Sequence, residues 1–169
     1  VANDGVATSS VVTVDVSVTG NDYAPVVGGL VELVNDDFQS GVTGPWTNTS
    51  TTTAPADASR GFLGQFANQT VSLPLSGIPS HTEVTISFDL YVLNSWDGNG
   101  GAGPDRVTIA ADGVALLDTT FSNVTDGTDN SQQSYPAGYL GAYYASRTWA
   151  AEANTLGGTF YGDSVYNFT

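Results

Sequence analysis

Residues 11–18, which read "VVTVDVSV", decide the fold class of this chain. Valine occurs at every second position and polar residues stand between, so apolar and polar side chains would fall on opposite faces of an extended strand. A period of two predicts a β-strand with one buried face. The residues assigned to that buried face are Val12, Val14, Val16 and Val18.

The same period recurs along the chain and predicts further strands. "QTVSLPL" (69–75) and "EVTISFDLYVL" (83–93) both alternate, and Pro74 favours an edge position because proline has no backbone N–H. "RVTIAADGVALL" (106–117) predicts a hairpin that turns at its Asp-Gly pair. Turn-forming residues separate these runs, and no long helix is predicted. We therefore expect an all-β, antiparallel β-sandwich, jelly-roll-like, with an additional N-terminal strand.

A polar, turn-rich stretch, "GNDYAPVVGG", predicts one boundary in the chain. We expect an N-terminal strand in residues 1–19, a linker in residues 20–29 and the sandwich domain in residues 30–169.

The composition excludes several classes of function. The chain has 169 residues, of which 3 are basic and 17 acidic, for a net charge of −14. Nucleic-acid phosphates need a basic surface, so no nucleic-acid partner is expected. No apolar run approaches the roughly 18 residues of a membrane span, so no membrane insertion is expected. There is no cysteine and only one histidine, which leaves oxygen-ligated cations as the metal chemistry to consider.

The loop "SWDGNGGAGPDR" (95–106) is the first candidate for a bound cation. Calcium takes six to eight oxygen ligands from carboxylates, amides and backbone carbonyls, and Asp97, Asn99 and Asp105 offer side-chain oxygens here. The alternative is a flexible, glycine-rich hairpin loop. Two other acidic segments are further calcium candidates, and their residues are Asp126 and Asp129 in one and Asp36 and Asp37 in the other.

Aromatic residues suggest a second kind of ligand. Aromatic rings can stack on sugar rings, and the candidates are Trp96, Trp149 and Tyr143, although each could instead pack in the core. Catalysis is not predicted, because the G-x-S-x-G nucleophile motif is absent and the single histidine, His81, lies in a turn-like stretch.

Two parts of the chain resemble known families of secreted proteins. "NDGVATSSVVTVDVSVTGNDYAPV" resembles the closing strand of a cadherin-like or VCBS-type repeat of bacterial surface proteins. "DDFQSG", "LPLSGIPSHTEVTISFDLYVLNSWDGN" and "GDSVYNFT" are similar to lectin-like, carbohydrate-binding-like sandwiches of large secreted bacterial proteins. The resemblance implies a non-catalytic, extracellular module, often with bound calcium.

The resembled sandwiches usually continue beyond a segment such as "GDSVYNFT", so one module lacks a strand and the N-terminal segment offers one. A fragment boundary would explain both, as would pairing within one domain. In donor-strand complementation, residues 8–19 of one copy would instead fill the sheet of the next, head to tail. We expect a structural module or subunit of a surface adhesin or fibre, with a calcium-dependent carbohydrate-binding module as the alternative.

Overall fold

The structure, a computed structural model, describes residues 12–20, 31–100, 104–125 and 131–169, the first of these by its backbone pairing. The described residues contain no α-helix. Among them there is thus no helix that could cross a membrane. The all-β prediction is confirmed. The strands are β1 (Val12–Gly20), β2 (Thr51–Ala54), β3 (Asp57–Leu63), β4 (Thr70–Ile78), β5 (Phe88–Leu93), β6 (Arg106–Ala111), β7 (Val114–Thr120), β8 (Glu152–Ala153) and β9 (Asp163–Phe168).

The largest sheet has four strands in the order β4-β1-β6-β7. Strands β6 and β7 form the predicted antiparallel hairpin, and its turn residues Asp112 and Gly113 have φ values of 49° and 77°. Two positive φ values are the geometry of the tight turn that matches strand twist. Strand β1 runs parallel to both its neighbours, so the expectation of antiparallel pairing is wrong for this strand. Its alternation could not reveal this, because the direction of pairing depends on where its neighbours lie in the chain.

Two smaller antiparallel sheets complete the fold. Strands β2 and β3 form a hairpin, and β9 lies between β5 and β8. Their apolar side chains pack in two clusters. The first joins β6 to one face of β5 and β9, and it contains Val92, Trp96, Val107, Ile109, Phe121 and Tyr166. The second joins the β2–β3 hairpin to the opposite face, and it contains Ala54, Phe62, Leu93, Leu156 and Val165.

Strand β5 is shorter than its sequence pattern predicts and is covered on both faces. The alternation begins at Glu83, but the strand begins at Phe88, and Val84 is exposed. The alternation puts Phe88 and Val92 on the inward face and leaves Leu93 on the other, yet Leu93 is buried in the second cluster. The hairpin β2–β3 covers this second face, and a period of two cannot predict such a distant contact. The sandwich arrangement itself stays a prediction.

Candidate functional site

The place of β1 in the four-stranded sheet is the first candidate site. We call the position between β4 and β6 the strand slot. The residues in register with the valines of β1 are Val71, Leu73 and Leu75 on β4 and Val107, Ile109 and Ala111 on β6. Val14 is in register with both Val71 and Ile109, and those two residues are 1% and 3% exposed. The four valines predicted for the buried face of this strand, which strand exchange would insert into a second copy, therefore take register positions along the slot.

Strand β4 depends on β1 for its place in the sheet. Among the strands that the structure describes, β4 contacts β1 alone, and β1 contacts only β4 and β6. The buried residues of β4, Val71, Leu73 and Ile78, belong to neither apolar cluster. Without β1, the facing edges of β4 and β6 would both present unpaired backbone groups, which are a template for another strand.

The connection from β1 to β2 is long enough to let β1 pair elsewhere. About 15 residues separate the end of β1 from Asp36, whose hydrogen bonds tie its segment together as far as Trp46, and fully extended they would reach up to about 50 Å. The linker expected in residues 20–29 lies almost wholly outside the described residues.

The acidic loop, residues 95–106, is folded back on the domain through its described part. Asp97 and Ser122 form an isolated antiparallel β-bridge. The Asn99 N–H donates to the Gln132 carbonyl at 2.7 Å, and the Asp105 N–H donates to the Gly98 carbonyl at 2.8 Å. Gly98 has a φ of 77°, a left-handed conformation that favours glycine. Both ends of the loop are therefore hydrogen-bonded within the domain.

The three side chains expected to bind calcium in this loop are engaged to different degrees. Asp105 is 4% exposed and its Oδ2 accepts a hydrogen bond from the Asp97 N–H. The Oδ1 of Asn99 accepts from the hydroxyls of Thr120 at 2.6 Å and Ser134 at 2.9 Å, so this oxygen is already used within the chain. The residue types that could hold a hard cation in this loop are the carboxylates of Asp97 and Asp105.

The Nδ2 atom of Asn99 has a different character. It is buried and has no hydrogen-bond partner among the described residues. The Thr120 hydroxyl also accepts from the Ser134 N–H, and the Ser134 hydroxyl accepts from the Leu140 N–H, so both hydroxyls donate to Asn99. This chain of bonds fixes the amide orientation and leaves Nδ2 as the atom that lacks a partner.

The calcium candidates Asp36 and Asp37 accept hydrogen bonds from their own segment of the chain. Asp36 accepts four hydrogen bonds within its own segment, from the N–H groups of Thr43 and Gly44, the Thr43 hydroxyl and the Trp46 indole. Burial raises the pKa of Asp36, but these bonds outweigh it and the pKa is lowered. Asp37 is exposed and accepts from the Gln39 N–H at 2.9 Å.

Asp126 and Asp129 lie outside the described residues. Within the described ranges, no group of three or more acidic or histidine side chains is placed to hold a metal ion.

The aromatic candidates separate by burial. Trp96 is 7% exposed and packs in the first apolar cluster, so its ring offers little surface to a sugar. Trp149 is 75% exposed and Tyr143 is 56% exposed, so both rings are open to a ligand. Sequence reasoning did not single out two other exposed rings, Phe160 and Tyr161, which follow a glycine pair and precede β9.

All three basic residues are engaged inside the domain. Arg60 pairs with Glu152, with N–O distances of 2.6 and 3.2 Å, and Arg106 forms a bidentate pair with Asp118. The guanidinium of Arg147 donates to the Tyr161 carbonyl. Each guanidinium thus makes at least one bond inside the domain, while the Nε of Arg147 is buried without a partner among the described residues.

A buried glutamine with several hydrogen bonds was not predicted. Gln133 is fully buried, and its Oε1 accepts from the N–H groups of Ser122 and Arg147 and from the Tyr166 hydroxyl. Its Nε2 donates to the carbonyls of Tyr135 and Thr148. The surrounding sequence, "NVTDGTDNSQQ", indicates only a calcium candidate or a solvated loop, because nothing in a polar run reveals which residue will be buried.

Buried polar groups also organise the segments around β9. The carboxylate of Asp163 is fully buried and accepts from the N–H groups of Thr155, Leu156 and Gly158 at 2.9 to 3.1 Å.

Comparisons with protein-family models, with curated proteins and with solved structures gave no match.

Proposed function

We propose that this chain is a non-catalytic, extracellular structural module, a subunit of a surface adhesin or fibre, whose copies join through β1. The observation that carries the proposal is the parallel insertion of β1 between β4 and β6. Backbone pairing on both edges would hold an incoming strand, and alternate side chains would give specificity. A strand donated head to tail, without closing into a ring, propagates a fibre.

The chain's construction supports a donor that comes from another copy. Strand β1 precedes a long connection, and its two partners lie far along the chain, at residues 70–78 and 106–111. One sheet position can therefore be filled from within the chain or by a second copy with the same backbone bonds. At high local concentration of copies, exchange costs little beyond the entropy of association.

Calcium is part of the proposal as a stabilising cation. With a net charge of −14, neighbouring copies repel one another, and a divalent cation near the acidic loop would reduce that repulsion. Asp97 and Asp105 are the side chains that we propose as ligands.

The proposal is tested by sizing the whole chain by light scattering in calcium and in chelator. Wild type should form high-mass species in calcium, and these should shrink when the calcium is chelated. Val14→Pro should abolish assembly, because proline removes a backbone N–H from a central strand. Val31→Pro makes the same kind of change at an exposed residue outside the strands and should assemble like wild type. A monomeric wild type in calcium would contradict the proposal.

The second candidate function, a calcium-dependent carbohydrate-binding module, is favoured by one observation. Trp149 is 75% exposed, although tryptophan is usually at least partly buried. If the chain binds glycans, Trp149→Ala should remove binding on a glycan array while leaving the melting temperature unchanged. Phe160→Ala, at another exposed ring, is the control for a general loss of surface aromatics.

A further inference from the structure

We propose that Pro74 and Thr47 close the outer edge of β4, so that the four-stranded sheet takes up a strand only in the strand slot. Copies of the chain would then join one to one, without lateral pairing of sheets. This inference rests on the proposed function in one respect, namely that the incoming strand is β1 of a second copy.

The outer edge of β4 is defined by the hydrogen bonds of Ser72. The Thr47 N–H donates to the Ser72 carbonyl at 2.9 Å, and the Ser72 N–H donates to the Thr47 hydroxyl at 2.8 Å. In a strand, the N–H and C=O of one residue point to the same edge, and successive residues alternate between edges. The backbone of Ser72 therefore points away from β1.

Pro74 stands two residues beyond Ser72 and so presents its backbone to the same outer edge. It is exposed, and it has no N–H to offer to an arriving strand. Such a strand would lack one ladder bond at Pro74 and would have to displace Thr47 at Ser72. Proline and a covering loop are two of the devices by which proteins protect sheet edges.

The inner edge of β4 lacks any such obstacle. Val71 and Leu73, which alternate with Ser72, direct their N–H and C=O groups toward β1, their register partners being Val14 and Val16. Neither is a proline, so the edge that faces the strand slot keeps its donors and acceptors. The same strand is therefore open to pairing on one edge and closed on the other.

The opposite end of the sheet, at β7, is protected too. The N–H groups of Tyr139 and Tyr135 donate to the carbonyls of Asp118 and Thr120 at 2.8 and 3.2 Å, which covers the C-terminal half of the strand. Toward the hairpin turn, the register shifts between Ile109 and Ala110, a bulge of the kind that disfavours edge-to-edge pairing. Both outer edges thus carry obstacles to a further strand.

The test reopens the outer edge in the full chain. Pro74→Val returns a backbone N–H, and Thr47→Pro removes both the hydroxyl and the N–H that cover Ser72. We expect the double variant to show about twice the wild-type mass by sedimentation velocity, because edge-to-edge pairing about a two-fold axis joins two copies or two fibres. Pro74→Thr in place of Pro74→Val should give the same doubling, since the N–H and not the apolar side chain is responsible.

Pro79→Val is the matched control, since it makes the same change at an exposed residue beyond the end of β4, and its mass should equal that of wild type. Circular dichroism verifies that each variant keeps the strand content of wild type. A double variant that keeps the wild-type mass would overturn the inference, even where wild type assembles. A monomeric wild type beside a double variant of twice its mass would instead contradict exchange of β1 and support the closed edge.

Discussion

At the scale of single residues, two arginine–carboxylate pairs tie distant segments together. Arg60 on β3 donates to Glu152 on β8 and to the Tyr91 hydroxyl on β5, so one side chain links its own strand to two others. The hydrogen bonds from Arg60 lower the pKa of Glu152, and a further bond from the Thr155 hydroxyl acts in the same direction. A chain with only three basic residues thus uses one of them as a cross-link between sheets.

The lowered pKa of Glu152 makes a prediction about acid. Because the folded state holds the carboxylate more strongly than the unfolded state, its stabilising contribution is present above the ordinary pKa of 4.5 and is lost as the pH falls through the lowered value. Glu152→Gln should therefore cost about 1 kcal/mol or less at pH 7, as expected for a partly exposed pair, and progressively less below pH 4.5.

Thermal unfolding of wild type and Glu152→Gln between pH 7 and pH 2.5 measures this difference. Glu83→Gln is the control, because it makes the same change at an exposed residue outside the pair. A gap between the melting temperatures of wild type and Glu152→Gln that stays constant across this range would refute the assignment.

At the scale of elements, two glycines with the same backbone angle have different tasks. Gly98 in the acidic loop and Gly113 in the β6–β7 turn both have a φ of 77°. A Cβ on Gly113 would meet nothing within 4 Å, whereas a Cβ on Gly98 would collide with the Gln132 carbonyl, which accepts the Asn99 N–H. The turn needs only the backbone angle, and the loop also needs the missing side chain.

The pair of variants separates these two causes. Gly113→Ala should lower the free energy of unfolding by roughly 1–2 kcal/mol, the cost of a left-handed conformation alone. Gly98→Ala should cost clearly more, because the Gln132 carbonyl must move as well. Urea unfolding of both variants tests this, and equal losses would mean that the acidic loop is not fixed to the domain as described.

The sequence predicted where the strands lie along the chain better than it predicted which segments pair or pack with them. The Asp-Gly hairpin and the strand at residues 12–20 follow from local pattern, since turn chemistry and alternation are written in neighbouring residues. The parallel pairing of β1 and the second covered face of β5 depend on segments far away in the chain. Among the candidate ligands, burial separated Trp96 from Trp149, and no sequence signal distinguishes a buried tryptophan from an exposed one.

At the scale of the whole molecule, charge sets the conditions for assembly. With 17 acidic residues and 3 basic ones, copies that meet head to tail bring like charges together. At physiological ionic strength this repulsion is screened beyond about 8 Å, so sodium chloride alone should promote assembly to some degree. Calcium that binds at the acidic loop should promote it further than sodium chloride at matched ionic strength, and this difference separates bound calcium from screening.

The most direct test of strand exchange uses the absence of cysteine from the chain. Thr13 on β1 and Thr108 on β6 are register partners, and neighbouring strands bring Cα atoms to a separation that a disulfide can span. The double variant Thr13→Cys, Thr108→Cys is oxidised and run on a denaturing gel without reductant. It should give a ladder of dimers, trimers and longer covalent chains. Each single variant, run in the same way, should lack this ladder. A single cross-linked monomer band would mean that β1 fills the strand slot of its own chain, and would contradict assembly by strand exchange.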